Sequence, residues 1–252
     1  MQNTNEIYQG YSDPYPLVIH WSQYALLRDL HLAFLLSDDA IRRVLDVGAG
    51  TGYQTIELLK AGKEVTAIDI SDDMLGKLRE KADDDPDLHD AALYVHNMDG
   101  QVLDFPDGSF DAVTGMNAYY NFPDPVKGFR ESYRVLKPGG IFLMSGPREN
   151  ADVDFMVFMS AAPDLLREGV FGNGASVSPQ TLQLIMDGNF EGPNVNHLMT
   201  MREANKKLVE IATFYDSESL CDLLINNIGF SRVLFKTDNP YNKQAYFVAV
   251  RK

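Results

Sequence analysis

Three glycines at alternate positions follow an aspartate in residues 44–53, VLDVGAGTGY. The apolar pairs around Asp46 read as a short buried strand. Gly48, Gly50 and Gly52 then let the backbone turn tightly and approach a ligand without Cβ clashes. In an open parallel sheet, ligands bind outside the carboxyl ends of strands, where successive connections diverge to opposite faces. A glycine loop leaving a strand at such an edge predicts a nucleotide-like ligand. Its identity turns on charge. A dinucleotide fingerprint needs G-x-G-x-x-G, and Tyr53 occupies the third glycine position. The Gly-Lys-Ser/Thr of a phosphate-binding loop is absent here too. Asp46 would repel a pyrophosphate and attract an amino group or a sulfonium. At about 4 Å and an effective dielectric near 20, that term is of order 4 kcal/mol before solvation. The bend therefore favours a cationic ligand.

The order of elements agrees with a layered α/β fold. Strands are expected at 44–47, 65–70, 93–96, 110–115 and 141–144, with helices at 53–60, 71–81 and 125–136. Gly62 closes the first helix, Ser71 caps the second, and Pro86 stops it within the acidic run 83–87. Pro138-Gly139-Gly140 is expected to turn into the fifth strand. This alternation implies right-handed crossovers and a parallel sheet covered on both faces. A helix at 217–228 ends at Gly229. Strands 233–235 and 246–250, joined by the polar turn TDNPYNKQ, must then run antiparallel.

Four regions are expected: an aromatic-rich N-terminal cap region at 1–37 with a helix over 19–36, a ligand-binding core at 38–147, a lid insertion at 148–214, and a closing helix and hairpin at 215–252. The insertion is too long for a simple connection, and such insertions are commonly lids or substrate walls. It is methionine-rich, which suits an irregular apolar ligand.

Two further acids mark the carboxyl edge. Asp69 ends the second strand, where a carboxylate accepts two ribose hydroxyls. Asp99 follows the third strand and could accept from an exocyclic amine, with Met98 packing on a purine face. These motifs together resemble the class I S-adenosylmethionine-dependent methyltransferases. VLDVGAGTG resembles the family's first motif, VTAIDIS the ribose-binding motif, NMDGQVLDFPDGSFDAV the adenine-binding motif, and RVLKPGGIFLMSG the fifth-strand motif. The resemblance implies a Rossmann-like, seven-stranded, mostly parallel sheet of order 3-2-1-4-5-7-6 with an antiparallel last strand and helices on both faces. It implies S-adenosyl-L-methionine as cofactor. Asp46 with Gly48, Ala49, Gly50, Thr51 and Gly52 would hold the methionine moiety, Asp69 and Ile70 the ribose, and Met98, Asp99 and Gly100 the adenine. Asn117 would lie beside the methyl donor.

Methyl transfer is an in-line displacement that needs a nucleophile about 3–3.5 Å from the methyl carbon. A phenol, hydroxyl or carbon acid would benefit from a general base. The candidates are His20, His197, Tyr119 and Tyr120; the two tyrosines could equally fill space between strand and helix. Tyr11, Trp21 and Tyr24 are candidate substrate contacts. No metal is required. His31, His89 and His96 carry no functional argument, and Asp104 and Asp107 read as surface acids.

The formal charge of −14 disfavours nucleic acid and anionic membranes as partners. No stretch approaches the roughly 20 apolar residues of a membrane span. The single cysteine, Cys221, permits no internal disulfide and reads as a core residue. A cytoplasmic enzyme, with a second copy of the chain as a candidate partner, is expected to methylate an O, N or C nucleophile of a small, largely apolar acceptor. Two alternatives make different predictions: a donor-binding regulatory subunit without catalysis, and a nicotinamide oxidoreductase, which Asp46 and the missing third glycine disfavour.

Overall fold

The computed structural model describes residues 22–152 and 212–252, together with 199, 200, 203, 206, 207, 209 and 210. The described helices are α1 (Ser22–Leu35), α2 (Thr55–Lys60), α3 (Asp72–Asp83), α4 (Pro125–Val135), α5 (Ser217–Leu223) and the single turn α6 (Pro240–Lys243). The strands are β1 (Arg43–Val47), β2 (Glu64–Asp69), β3 (Leu93–Asn97), β4 (Phe110–Met116), β5 (Leu136–Pro147), β6 (Arg232–Thr237) and β7 (Ala245–Arg251). They form one seven-stranded sheet of order β3-β2-β1-β4-β5-β7-β6. The first five strands pair in parallel. β7 runs antiparallel to both of its neighbours, with Gly146 opposite Tyr246 and Ile141 opposite Arg251. This is the Rossmann-like order that the sequence motifs imply.

Local chemistry sets the helix starts. Ser71 accepts a hydrogen bond from the Met74 amide, and Asp72 and Asp73 occupy the positive first turn of α3. Asp124 caps α4 ahead of Pro125, and Asp216 accepts from Glu218 and Ser219 at the start of α5.

Alternation along the strands sends side chains to two cores. On one face Leu45, Val47, Phe142, Met144, Tyr246 and Val248 meet Phe129 of α4 and Leu220, Cys221 and Leu224 of the α5 segment. On the other, Val44, Leu143, Phe247 and Ala249 meet Leu35, Leu58 and Leu59. Burying a side chain such as Phe142 contributes about 1.5–3 kcal/mol.

Several boundaries differ from the sequence expectation. α2 starts at Thr55 because Gly52, at φ 82°, is still in the left-handed bend. β5 starts at Leu136, directly after α4, so Pro138-Gly139-Gly140 is an irregularity inside the strand: the register with β4 shifts between Phe110 and Ala112, and Gly139 takes φ 78°. The closing helix widens into a π-turn at Leu224–Ile228 before Gly229 (φ 108°) ends it. The described part of the N-terminal region is a layer of the core: in α1, Leu35 is fully buried, with Leu30, Leu32 and Phe34 packed beside it.

Candidate functional site

The glycine loop joins β1 to α2 at the carboxyl edge. Gly48, Gly50 and Gly52 take φ of 69°, 54° and 82°, a region that L side chains rarely adopt. A Cβ on Gly48 would stand 2.5 Å from Ala118 Cβ, and one on Gly52 2.2 Å from Leu78 Cδ1. The amides of Gly48 and Ala49 donate to the Ile68 carbonyl at 2.8 and 3.0 Å. Lys81 of α3 grips the buried Thr51 from behind, donating to its carbonyl at 2.9 Å and its hydroxyl at 3.0 Å. The bend is thus held on two sides.

Two acids converge on it. Asp46 is 3% exposed, and the Thr55 hydroxyl donates to Oδ2 at 2.6 Å. Burial pushes its carboxyl up to about 7; the Thr55 hydrogen bond opposes this shift and the nearby Asp69 charge adds to it. Asp69 accepts from the Gly50 amide and the Ser71 amide, each at 2.9 Å. Burial still raises its carboxyl above the usual range. Neither acid belongs to an ion pair among the described residues. Two mutually repelling carboxylates in one bend suit a cationic group with hydroxyls, and they do not suit a diphosphate.

The adenine candidates lie one strand further along the same edge. The Met98 amide donates to the Asp69 carbonyl at 3.0 Å. Asp99 is exposed, and both its oxygens accept from Gln101 Nε2, at 3.0 and 3.1 Å. A Cβ on Gly100 would meet Phe122 Cζ at 2.7 Å and Val47 Cγ1 at 2.9 Å, so glycine is required for close packing there. The Ile70 carbonyl accepts from Asn97 Nδ2 at 3.0 Å, tying β2 to β3 at this end. Asn117 follows β4 in a left-handed conformation at φ 56°, its amide bonded to the Ser145 carbonyl at 3.0 Å.

The catalytic candidates separate. Of its two readings, Tyr119 takes the space-filling one. It is fully buried, and its hydroxyl shares a 2.6 Å hydrogen bond with Ser132 of α4. Burial raises that phenol far above its ordinary value. Tyr120 instead stacks on Phe214, with centroids 5.9 Å apart, where the chain returns to the core. Its carbonyl accepts from the Thr213 amide at 2.9 Å. Tyr24 is buried with its ring 5.6 Å from Tyr53, while Arg28 lies over that same Tyr53 ring at 4.7 Å. Tyr24 therefore packs against Tyr53, the residue that follows the glycine loop. His20, His197, Tyr11 and Trp21 lie outside the described residues.

Sequence reasoning assigned His31 no role, yet it is fully buried at the centre of a polar network. Its Nδ1 lies 2.7 Å from Thr114 Oγ1 and its Nε2 3.0 Å from Ser145 Oγ. Gln54 Nε2 donates to the same Thr114 hydroxyl at 3.0 Å. Burial lowers the imidazole to about 3, so it is neutral. Thr114 can then accept from Gln54 and donate to Nδ1, while Nε2–H donates to Ser145. The packing of α1 on the adjacent strands β4 and β5 brings these residues together, so sequence spacing carried no signal for it. The contact of Lys81 with Thr51, 30 positions apart, likewise depends on tertiary packing.

Among the described residues no group of three His, Cys, Asp or Glu side chains could hold a metal ion, and no helix is long and apolar enough to cross a membrane. A cavity of about 660 Å³ bounded by Phe34, Asp38, Ile41, Lys137 and Arg251 lies at the opposite, amino edge of the sheet, away from these groups.

Residues 45–144 match the family described as "Methyltransferase domain". A rice 2-methyl-6-phytyl-1,4-hydroquinone methyltransferase is 38% identical over 109 residues, covering 42% of this chain and 29% of the relative. A ubiquinone/menaquinone biosynthesis C-methyltransferase from Rickettsia akari is 27% identical over 248 residues, covering 92% of this chain and 86% of the relative. The chain thus spans under a third of the rice protein and most of the rickettsial one. Among solved structures, magnesium protoporphyrin IX methyltransferase from Synechocystis, with bound SAH, shares the fold at a TM-score of 0.56 and 16% identity, covering 91% of this chain and 83% of that one.

Proposed function

We propose that this chain, whose residues 45–144 match a methyltransferase domain family, is a class I S-adenosylmethionine-dependent methyltransferase that methylates a ring carbon of a small, largely apolar, quinol-type acceptor. The observation that carries the reading is the pair formed by the buried Asp46 and the half-buried Asp69 inside a glycine bend, with no cationic partner of its own among the described residues. The names of the rice and rickettsial relatives support the acceptor class.

The residues present fit the cofactor. Asp46 and the Gly48–Gly52 backbone would hold its amino-acid end. Asp69, already oriented by two amides, would accept the ribose hydroxyls. Ile70, Met98, Asp99 and Gly100 would surround the adenine, and Asn117 would flank the donor methyl. When bound, S-adenosylmethionine supplies a methyl group already activated by its sulfonium. The protein's part is to align that group with a nucleophile and exclude water.

A quinol ring carbon becomes nucleophilic as its hydroxyl loses a proton, so a base at that hydroxyl accelerates transfer. Burial raises the Tyr120 phenol above its ordinary value, which suits it to donate a hydrogen bond and not to act as base. The candidate bases on chemical grounds are therefore His20 and His197. The charge of −14 supports a small neutral acceptor over nucleic acid or an anionic surface, and the cytosol is the proposed compartment.

The test is incubation with a trideuteromethyl donor and reduced 1,4-naphthohydroquinone, read by mass spectrometry. Trideuteromethyl on a ring carbon is expected. Transfer to oxygen alone, or no transfer by protein that binds the donor, contradicts the proposal.

A further inference from the structure

Tyr246 is the second residue of β7, near the carboxyl edge, paired with Gly146 of β5. Its ring is fully buried, and its Oη has no hydrogen-bond partner among the described residues. Buried tyrosine hydroxyls usually find a partner, because an unmade hydrogen bond leaves the desolvation penalty uncompensated. The fold makes room for this hydroxyl: a Cβ on Gly146 would stand 3.0 Å from Tyr246 Oη and 3.0 Å from Tyr120 Cδ1. Glycine at this position lets the two phenols close onto the strand floor. Tyr215 adds a third phenol from the returning chain, which bridges to Arg148 just beyond β5.

The Tyr246 hydroxyl adjoins the donor side. Ser145, the residue before Gly146, holds the Asn117 amide through its carbonyl at 3.0 Å. Asn121 Nδ2 reaches the Asn117 carbonyl at 3.4 Å. Burial, reinforced by the Tyr215 and Tyr120 hydroxyls, holds the Tyr246 phenol well above its ordinary value. It therefore stays protonated, a buried hydrogen-bond donor with no partner among the described residues, beside the methyl-transfer position.

We propose that Tyr246 Oη donates a hydrogen bond to an oxygen of the methyl acceptor, a ring hydroxyl or carbonyl, and so selects oxygenated rings over bare hydrocarbons at the acceptor side. This inference rests on the methyltransferase reading above and adds to it a residue that contacts the acceptor.

The test compares Tyr246→Phe with the unaltered protein, both saturated with S-adenosylhomocysteine, using 1-naphthol and naphthalene as a matched pair of probes in equilibrium dialysis. The substitution removes only the hydroxyl. Binding of 1-naphthol is expected to weaken roughly threefold to tenfold, the size of one neutral hydrogen bond. Naphthalene binding and the S-adenosylhomocysteine Kd are expected to stay the same, and the latter also reports that the variant is folded. Equal 1-naphthol affinity in both proteins overturns the proposal. So does an equal loss for both probes, which would mark a packing effect, and so does failure of the unaltered protein to retain 1-naphthol. A preserved naphthol effect without methylation of naphthohydroquinone supports the Tyr246 assignment while refuting the quinol-methylation reading.

Discussion

Replacing Asp46 with Asn separates what this residue does for folding from what it does for binding. Its folded carboxyl titrates at about 7, against 3.8 without the protein environment. The group is raised, so the unfolded chain releases its proton first as pH increases. Its neutral form is fully tolerated below about pH 4, and the native state then loses stability as pH rises through about 7. The displacement of about three units corresponds to a ceiling of roughly 4 kcal/mol above pH 7. Asp46→Asn keeps shape and an acceptor for the Thr55 hydroxyl but removes the titration. Without ligand, its stability advantage over the unaltered protein should widen by about 2–3 kcal/mol between pH 5 and pH 8. At about 2–4 °C per kcal/mol for a chain of this size, that is a relative Tm gain of about 5 °C or more. Binding should respond oppositely, with S-adenosylmethionine held about 2 kcal/mol more weakly, roughly thirtyfold, at pH 7.5. Thermal unfolding across that pH range and calorimetric titration read the two effects. A stability difference that does not vary with pH, or donor affinity unchanged by the substitution, would refute the reasoning.

Asp69→Ala should weaken donor binding by about 1–3 kcal/mol, as loss of charge-assisted hydrogen bonds does; calorimetry showing an unchanged Kd would reject its ribose role. Gly48→Ala forces a Cβ into the 2.5 Å approach to Ala118 at positive φ, so denaturant titration should register a loss of about 1–3 kcal/mol together with loss of donor binding. His31 titrates at about 3 in the fold against 6.5 outside it. Its folded value is depressed, so stability is intact above about pH 6.5 and declines as pH falls toward 3. In His31→Gln the acid limb of the stability curve should be shallower, by up to about 3 kcal/mol at pH 4, and an unchanged acid slope would exclude His31 as a contributor.

What the sequence made legible was what local chemistry controls. Ser71 and the glycine bend announce their own conformations, and the acids at strand ends reach the shared edge once the strands are parallel. The antiparallel end of the sheet followed from the length of the β6–β7 link. Other features depend on tertiary register. His31 meets Thr114 and Ser145 across 83 and 114 positions, and no spacing rule links them. Tyr119 and Tyr120 are adjacent in sequence, but one turn of 3₁₀ helix at Tyr119–Asn121 points the first into the core and the second toward the returning chain. The Pro-Gly-Gly stretch signals a break in regular structure equally well as a turn or as a bulge, and pairing with β4 decided for the bulge.

The account depends on the glycine bend accepting positive charge and refusing phosphate. Calorimetric titration of the unaltered protein at pH 7.5 with S-adenosylmethionine and, separately, with NADH addresses it directly. Micromolar binding of the sulfonium nucleoside and no detectable binding of the dinucleotide are predicted. NADH bound in preference to S-adenosylmethionine would contradict the account.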